Sequence, residues 1–242
     1  MIYVILGMGK SGTTLVSKML HKSGIRMVED ENDLMTYKQG NHYEDSQFNE
    51  INYSLLGCEG LHSLEINLNQ KLNSNSISIE KGKNIIERNT KSYSDWGFKD
   101  PRTCLTYSFW EKILPSHRII IVYRDPYSVF KHYNKNKKKN PLRMYRSVNH
   151  WRTYNQRIIN IISSKPRESY LIFNYEDLMT SDNVIKELSL FCNKSITDVR
   201  DKNQWNTKPG NNIPFRVISW LKYLSSGVSN KQIIDNLNNL KL

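Results

Sequence analysis

Residues 7 to 14 read Gly-Met-Gly-Lys-Ser-Gly-Thr-Thr and directly follow a short apolar run. The glycines at 7, 9 and 12 allow a tight turn that aims backbone N–H groups at one point. Lys10 adds a full positive charge, and Ser11, Thr13 and Thr14 add hydroxyl donors. A strand, a glycine turn and a helix start, in that order, predict a site that binds a phosphate.

The triphosphate loop G-x-x-x-x-G-K-[ST] is the nearest familiar pattern, and it requires glycine at position 4 if Gly9, Lys10 and Ser11 supply its last three residues. Position 4 is Val4, inside the apolar run, and Gly12 follows the Lys-Ser pair where the triphosphate motif has no such demand. We therefore predict a P-loop-like turn that is shorter than the triphosphate loop and fitted to a smaller 5′ group.

Two further polar clusters follow predicted strands, namely Lys99-Asp100-Pro101-Arg102 and Arg124-Asp125-Pro126. In open parallel sheets, ligands bind beyond the carboxyl ends of the strands. The best-defined strand ends in Arg124, whereas a triphosphate-hydrolysing enzyme is expected to end such a strand with a metal-binding Asp. The pattern favours direct contact between an arginine and an anion, and no metal.

Alternating strands and helices position these clusters and predict an α/β fold, a three-layer sandwich with a central parallel sheet, in a single domain over residues 1–242. Strands are predicted at 2–6, 25–28, 96–99, 118–123 and 170–174. Helices are predicted at 15–24, 48–57, 77–86 and 103–114, along one long stretch through 148–161, and at 181–191, 215–224 and 230–240. Residues 29–42 are predicted to form a loop over the site, and the rest of the polar stretch 58–95 shows no clear periodicity.

The chain has 35 Lys and Arg against 23 Asp and Glu, and the net charge of +12 favours an anionic ligand. The run Lys135, Lys137, Lys138, Lys139 lies between asparagines without interleaved aromatics, which predicts a solvated loop rather than a surface for nucleic acid or an anionic membrane. Three scattered cysteines imply neither a disulfide framework nor a zinc site. With no leader pattern and no spanning apolar run, we expect a soluble, cytoplasmic protein without a nucleic-acid or membrane partner.

Five segments, in this order along the chain, are similar to motifs of the sulfotransferase family that uses 3′-phosphoadenosine 5′-phosphosulfate (PAPS), and in particular of its small bacterial members. They are G-M-G-K-S-G-T-T-L, N-H-Y-E-D, G-F-K-D-P-R-T, I-I-I-V-Y-R-D-P and F-N-Y-E-D-L. The resemblance implies a metal-independent enzyme that moves a sulfuryl group from PAPS to a hydroxyl or amine of a small-molecule or carbohydrate acceptor. The product of the donor would be 3′-phosphoadenosine 5′-phosphate (PAP).

The resemblance also assigns donor contacts. Lys10 would bridge the 5′ phosphate and the sulfuryl group, Arg124 would bind the 3′ phosphate, and Tyr175 would lie near the adenine. The family usually has Ser eight positions after that Arg, whereas this chain has His132, so either His132 or Ser128 is the second 3′-phosphate donor. The remaining 5′ contacts would come from Gly9, Ser11, Gly12, Thr13 and Thr14.

For catalysis, the resemblance makes Glu44 the base that takes the acceptor's proton, with His42 and Asp45 as alternatives. Lys99 and Lys10 would stabilise charge on the leaving oxygen and the transferred group. Glu44 has a second interpretation, because a carboxylate there also suits the N-terminus of the following helix.

Several residues in or near these motifs also have a purely structural interpretation. Asp100 and Arg102 are expected to pair with each other or to cap the helix that starts near Thr103. Arg124 has an alternative as the partner of Asp125 or Asp177. A helical stripe places Trp151 and Tyr154 in the core, and we assign no site to His21, His62, His117 and His150.

Two other function classes compete. A magnesium-dependent small-molecule or nucleotide kinase requires the longer loop that Val4 precludes, and a non-catalytic nucleotide or nucleic-acid binder would tolerate loss of Glu44 or Lys99. The acceptor and the oligomeric state are left open by the sequence.

Overall fold

The computed structural model describes residues 1–29, 42–135, 140–201 and 212–241. Four strands form one parallel sheet in the order β2-β1-β3-β4. The strands are β1 Ile2–Leu6, β2 Trp96–Lys99, β3 His117–Tyr123 and β4 Tyr170–Asn174. The predicted central parallel sheet is confirmed.

Ten helices lie within the described residues, together with one 3-10 turn at Arg167–Ser169. They are α1 Thr13–Lys22, α2 Ser46–Leu56, α3 Ser76–Ser92, α4 Thr103–Ile113, α5 Pro126–Asn134, α6 Pro141–Ile162, α7 Tyr175–Thr180, α8 Asp182–Cys192, α9 Ile213–Ser226 and α10 Asn230–Asn239.

Both faces of the sheet are buried, because side chains of each strand alternate between two cores. In β1, Val4 and Leu6 face a core built with α2, α3, α4, α6 and α10, whereas Tyr3 and Ile5 face a second core built with α1, α7 and α8. The predicted three-layer α/β sandwich is therefore confirmed. No described helix is long and apolar enough to cross a bilayer.

The register of the sheet brings the polar clusters to one edge. Ile5 is paired with Lys99 on one side and with Ile120 on the other, so β1, β2 and β3 end close together. The glycine turn, the Lys99 cluster and Arg124 consequently emerge side by side, as the rule for open parallel sheets predicts.

The structure corrects three local predictions. Residues 25–28 do not form a strand; Arg26 makes a single parallel bridge to Trp96, in which its N–H donates to the carbonyl of Asp95 and its carbonyl accepts the N–H of Gly97. The helix predicted at 77–86 extends over Ser76–Ser92 and begins with a capping box. The single long helix predicted after Arg124 is two helices, α5 and α6, each with proline in its first turn.

Two predicted loops fall mainly outside the described residues. Of the predicted loop at 29–42, only its two ends, Glu29 and His42, are described, and Lys137, Lys138 and Lys139 lie outside.

The polar stretch 58–95, in which the sequence shows no clear periodicity, is partly core, because Leu64, Ile66 and Leu68 are buried in the cluster on the α2 side of the sheet.

Candidate active site

The turn between β1 and α1 has the backbone shape that its glycines allow. Gly12, the N-cap of α1, has φ +97°, and a Cβ there would lie 2.2 Å from Cδ2 of Tyr175. A Cβ on Gly9 would lie 2.9 Å from the Tyr133 hydroxyl. Lys10 adopts φ +74° without being glycine, so the turn holds this lysine in a rarely populated conformation. The positive end of the α1 dipole and its first N–H groups face the same turn.

A cleft of about 950 Å³ opens at this edge of the sheet. Its lining includes all but one of the predicted donor contacts and all three predicted catalytic residues: Gly9, Lys10, Gly12, Thr13, Thr14, Arg124, His132, Tyr175, Glu44 and Lys99. The exception is Ser11, which is buried behind the turn, where its N–H donates to the carbonyl of Met8 at 3.1 Å.

Arg124 reaches across to the glycine turn. Its Nη1 donates to the carbonyl of Lys10 at 3.2 Å, and its Cζ lies 4.4 Å from the centroid of the Tyr175 ring. Its carboxylate neighbour is Glu176, with Nε to Oε1 at 3.7 Å, and not Asp125 or Asp177 as the structural alternative expected. Lys10 and Arg124 therefore border one cleft closely enough for a single ligand to contact both.

Glu176 is a weak partner for Arg124. Burial raises the pKa of its carboxyl group, an effect that the positive charge of Arg124 opposes. At 3.7 Å the contact lies beyond hydrogen-bonding distance, and neither Nε of Arg124 nor Oε1 of Glu176 has a hydrogen-bond partner among the described residues. An anion in the cleft would satisfy this arginine better than the carboxylate does.

The two candidates for the second 3′-phosphate donor lie in different places. His132 lines the cleft from α5, and burial, followed by the charges of Lys10 and Arg124, lowers its pKa, so the imidazole is neutral near pH 7. Ser128 lies one turn earlier, is buried, and is not among the lining residues; its N–H donates to Oδ1 of Asp125 at 2.8 Å. Because the side chain of His132 lines the cleft and that of Ser128 does not, His132 is the better candidate for the second 3′-phosphate donor.

Lys99 and Glu44 form an ion pair at the floor of the cleft. Nζ of Lys99 lies 2.5 Å from Oε1 of Glu44 and 3.3 Å from Oγ1 of Thr14. Lys99 is only 1% exposed, and burial lowers its pKa against the opposing effect of Glu44. Nδ2 of Asn49 approaches the other oxygen of Glu44 at 3.4 Å. The predicted base and the predicted leaving-group lysine are thus in direct contact, beside the first turn of α1.

Asp45, not Glu44, caps the following helix. Its Oδ1 accepts the N–H of Gln47 at 3.0 Å and its Oδ2 lies 2.8 Å from Nη1 of Arg26, with both side chains buried. Asp45 is not among the lining residues of the cleft. His42 does line it, and burial together with the charge of Lys99 lowers the pKa of its imidazole.

The Asp100–Arg102 pair is structural, as expected. Nε and the backbone N–H of Arg102 each lie 2.9 Å from the Asp100 carboxylate, and Asn52 donates to the same carboxylate at 2.8 Å. The guanidinium of Arg102 lies 3.7 Å from the centroid of the Tyr53 ring. Three protein donors thus form hydrogen bonds to the carboxylate of Asp100, which follows β2.

The cleft also contains residues that the sequence did not indicate. His62 and Ser63 come from the stretch without periodicity, and Tyr133 and Arg143 come from α5 and α6. Tyr154 was expected in the core, and it is 3% exposed yet borders the cleft. Asn140-Pro141 is a typical helix start, so the sequence could have placed Arg143 in the first turn of a helix. No local pattern pointed to His62 or Ser63.

The charges around the cleft favour an anion. Its lining has seven Lys and Arg side chains against three acidic ones among the described residues. The cations are Lys10, Lys18, Lys99, Arg102, Arg124, Lys135 and Arg143, and the acids are Glu44, Asp100 and Asp201. No group of three or more His, Cys, Asp or Glu side chains in the described part of the chain is placed to hold a metal ion.

Comparison with known proteins identifies the family. A model of the sulfotransferase family matches residues 3–193. The fold is similar to a sulfotransferase domain from the Synechococcus PCC 7002 olefin synthase, with 17% identity, coverage of 100% of this chain and 94% of that one, and a TM-score of 0.56. It is also similar to a sulfotransferase domain from the curacin biosynthetic pathway (16%; 100% and 91%; 0.51) and to a sulfotransferase from Alicyclobacillus acidocaldarius (13%; 99% and 94%; 0.51). No curated protein matches the sequence.

Proposed function

This chain belongs to the sulfotransferase family, and from that premise we propose that it transfers a sulfuryl group from PAPS to a hydroxyl or amine of a small-molecule or carbohydrate acceptor. The observation that carries the proposal is the shared cleft of Lys10 and Arg124, joined by the hydrogen bond at 3.2 Å. An adenosine phosphorylated at both the 5′ and the 3′ position needs two anion sites on one side of the sheet. We place this activity in a single domain over residues 1–242.

The residues present fit the donor. The turn lines the cleft with Gly9 and Gly12, whose lack of a Cβ leaves room for the Tyr133 hydroxyl and the Tyr175 ring, and the first N–H groups of α1 face the same turn. Arg124 offers an unsatisfied buried Nε, His132 lines the same cleft, and Tyr175, whose ring lies against the guanidinium, borders the cleft where the resemblance puts the adenine. The excess of cations balances a ligand with about four negative charges.

When bound, PAPS supplies an activated sulfuryl group and a phosphate leaving group. Glu44 accepts the acceptor's proton at Oε1 or Oε2, and Asn49 holds the second oxygen of the carboxylate. Nζ of Lys99, shared between Glu44 and Thr14, stabilises charge that develops beside the first turn of α1. Lys10, on the glycine turn, would supply positive charge for the leaving phosphate. No metal takes part in this scheme.

The competing functions receive no support from a specific contact. A magnesium-dependent kinase needs a carboxylate free for the metal, and the acidic residue that follows β2, Asp100, is engaged by Arg102 and Asn52. A non-catalytic binder does not require the buried ion pair between Lys99 and Glu44. The three cysteines are all free thiols, which suits the cytoplasmic location that we propose.

Thermal shift with PAP, ATP plus magnesium, and adenosine monophosphate tests the donor assignment, because a ligand that binds only the folded state raises the melting temperature. We expect PAP to stabilise most, and Arg124→Gln to abolish its advantage over adenosine monophosphate. Equal stabilisation of the wild type by PAP and adenosine monophosphate would refute the 3′-phosphate site.

Transfer of labelled sulfate from PAPS to a panel of hydroxyl and amine acceptors tests the reaction itself. We expect Lys10→Ala and Glu44→Gln each to reduce turnover by about a hundredfold or more, and only Lys10→Ala to weaken PAP binding strongly. Glu80→Gln, an exposed glutamate on α3, is the matched control and should retain full activity. Full activity of Glu44→Gln would remove it as the base.

The role of His132 has its own signature in pH. Its pKa is lowered in the free protein by burial and by Lys10 and Arg124, and an adjacent 3′ phosphate would raise it. PAP binding should therefore take up a proton at pH values between the lowered pKa of His132 in the free protein and its raised pKa in the complex, which calorimetry in buffers of different ionisation enthalpy measures. His132→Asn should lose this uptake; if Ser128→Ala weakens PAP binding and His132→Asn does not, the assignment reverses.

A further inference from the structure

One side of α9 exposes a continuous apolar stripe. Five large apolar residues recur at helical spacing on this side and are between 47% and 75% exposed: Ile213, Val217, Trp220, Leu221 and Leu224. The opposite side of the helix is also apolar, and there Phe215 and Ile218 pack against Phe130 and Val148 of α5 and α6. The helix is therefore anchored by one apolar face while a second one points away from the protein.

The neighbouring helix α6 has exposed apolar residues of its own. Leu142 and Tyr145, in the first turns of α6, are 56% and 41% exposed, and Nζ of Lys222 lies 4.5 Å from the centroid of the Tyr145 ring. We call the surface made of the five exposed α9 residues the α9 patch. Monomeric proteins rarely expose a contiguous apolar surface of this kind without a partner for it.

The helices around the α9 patch carry positive charge alone. Helices α5, α6 and α9 contain seven basic residues and neither Asp nor Glu: Lys131, Arg143, Arg146, Arg152, Arg157, Arg216 and Lys222. Arg216 is exposed and flanks the apolar stripe, whereas Lys222 follows Phe215 and Ile218 on the side of α9 that packs next to α6. The partner of this surface therefore has an apolar region and a negatively charged one.

We propose that the α9 patch binds the surface of an anionic lipid bilayer. Apolar side chains that include Trp220, flanked by cations, are the arrangement by which a helix lies in the headgroup region with its apolar face towards the acyl chains. At 14 residues, α9 is too short to span a bilayer. It would therefore lie along the membrane surface.

Two other partners fit the patch less well. A second copy of the chain, related by two-fold symmetry, would place the same cations opposite each other with no carboxylates on these three helices to neutralise them. A nucleic acid would use the cations and stacking aromatics, and the exposed Ile, Val and Leu side chains would gain nothing from its phosphates.

Sedimentation with vesicles tests the proposal directly. The wild type should bind vesicles of phosphatidylcholine with one quarter phosphatidylglycerol, and bind pure phosphatidylcholine at least tenfold more weakly. Binding to the anionic vesicles should weaken in 0.5 M salt, because salt screens the cationic contribution. Equal binding to both vesicle types, or to neither, overturns the proposal.

Paired variants locate the binding surface. Trp220→Ser with Leu224→Ser should weaken binding about tenfold or more, and Leu190→Ser, which changes an 80% exposed leucine on α8 across the sheet, should leave it unchanged. Arg216→Gln should weaken binding about fivefold, and Lys186→Gln on α8 should not. Circular dichroism confirms that the variants are folded. Equal binding by the α8 and α9 variants, or a dimer in solution that the double variant dissociates, would overturn the assignment to lipid.

Discussion

Replacing Gly12 by alanine tests whether the glycine turn, Tyr175 and Arg124 form one unit. The new Cβ would lie 2.2 Å from Cδ2 and 2.8 Å from Cε2 of the Tyr175 ring, and the backbone there has φ +97°. The Arg124 guanidinium lies over this ring, with Cζ 4.4 Å from the ring centroid, so a shift of the ring away from the new Cβ would disturb the arginine.

Two effects lower the stability of Gly12→Ala, and their free-energy costs add. A non-glycine residue in the left-handed region costs about 1 kcal/mol, and forcing a methyl group into a packed site costs about 1–3 kcal/mol more. The total of about 2–4 kcal/mol corresponds to a fall in melting temperature of roughly 5–15 °C for a chain of this length. PAP binding should weaken as well, since the ring and Arg124 shift together.

Gly227→Ala is the matched control for backbone strain. Gly227 has φ +67° with no atom within 4 Å of the added Cβ, so it should lose only about 1 kcal/mol and a few degrees in melting temperature. Combining Gly12→Ala with Tyr175→Ala should recover the clash contribution, which a double-mutant cycle by thermal or urea unfolding measures. If Gly12→Ala is no less stable than Gly227→Ala, or if loss of the Tyr175 ring brings no recovery, the packing argument is refuted.

Three further predictions concern the supports of the site. Asp45→Asn should lower the free energy of unfolding by about 3–5 kcal/mol, because it leaves the buried Arg26 guanidinium with only the exposed carboxylate of Glu29, at 3.4 Å; urea unfolding as stable as the wild type would contradict this. Asn52→Leu should cost about 2–4 kcal/mol in the same assay, since Nε1 of Trp110 donates to Oδ1 of Asn52 at 2.8 Å, and a loss under 1 kcal/mol would count against it. Burial raises the pKa of Cys104 to about 12, so iodoacetamide at about pH 8 should label this thiol only after denaturation, as peptide mass spectrometry shows; labelling of the native protein would contradict its burial.

The position of the candidate anion site was predictable from the sequence because its determinants are local. Gly9, Lys10 and Gly12 lie within one turn, and Arg124 follows the strand with the clearest apolar run. Parallel strands end at one edge, so topology alone joins these two local signals. The resemblance to sulfotransferases then assigned the roles, and the cleft contains every assigned residue except Ser11.

The parts that sequence reasoning missed depend on distant contacts. Arg26 lies in an apolar stretch that resembles a strand, yet it makes a single bridge to Trp96, and its buried side chain pairs with Asp45, 19 positions away. His62 and Ser63 belong to a segment whose shape comes from packing on the core through Leu64 and Ile66, and such packing leaves no periodic pattern. The spacing of apolar residues in α9 predicted a helix but not that one apolar side would face outward.

The ion pair between Lys99 and Glu44 complicates the usual interpretation of a base variant. Glu44→Gln removes the proposed base and also removes the carboxylate that opposes the desolvation of Lys99. The pKa of this buried lysine is already lowered, and without Glu44 it falls further, so the variant loses activity at neutral pH under either role.

The pH dependence of Glu44→Gln separates the two roles. If Glu44 serves only to keep Lys99 charged, lowering the pH reprotonates Lys99 and restores sulfuryl transfer, because a lysine with a depressed pKa gains its proton as pH falls. If Glu44 is the base, no pH restores transfer, since glutamine cannot accept the proton. We expect the second result in single-turnover assays with saturating PAPS, and recovery at low pH would refute Glu44 as the base. Lys99→Met combined with Glu44→Gln should be more stable than Glu44→Gln alone, because an apolar side chain replaces the unpaired buried amine.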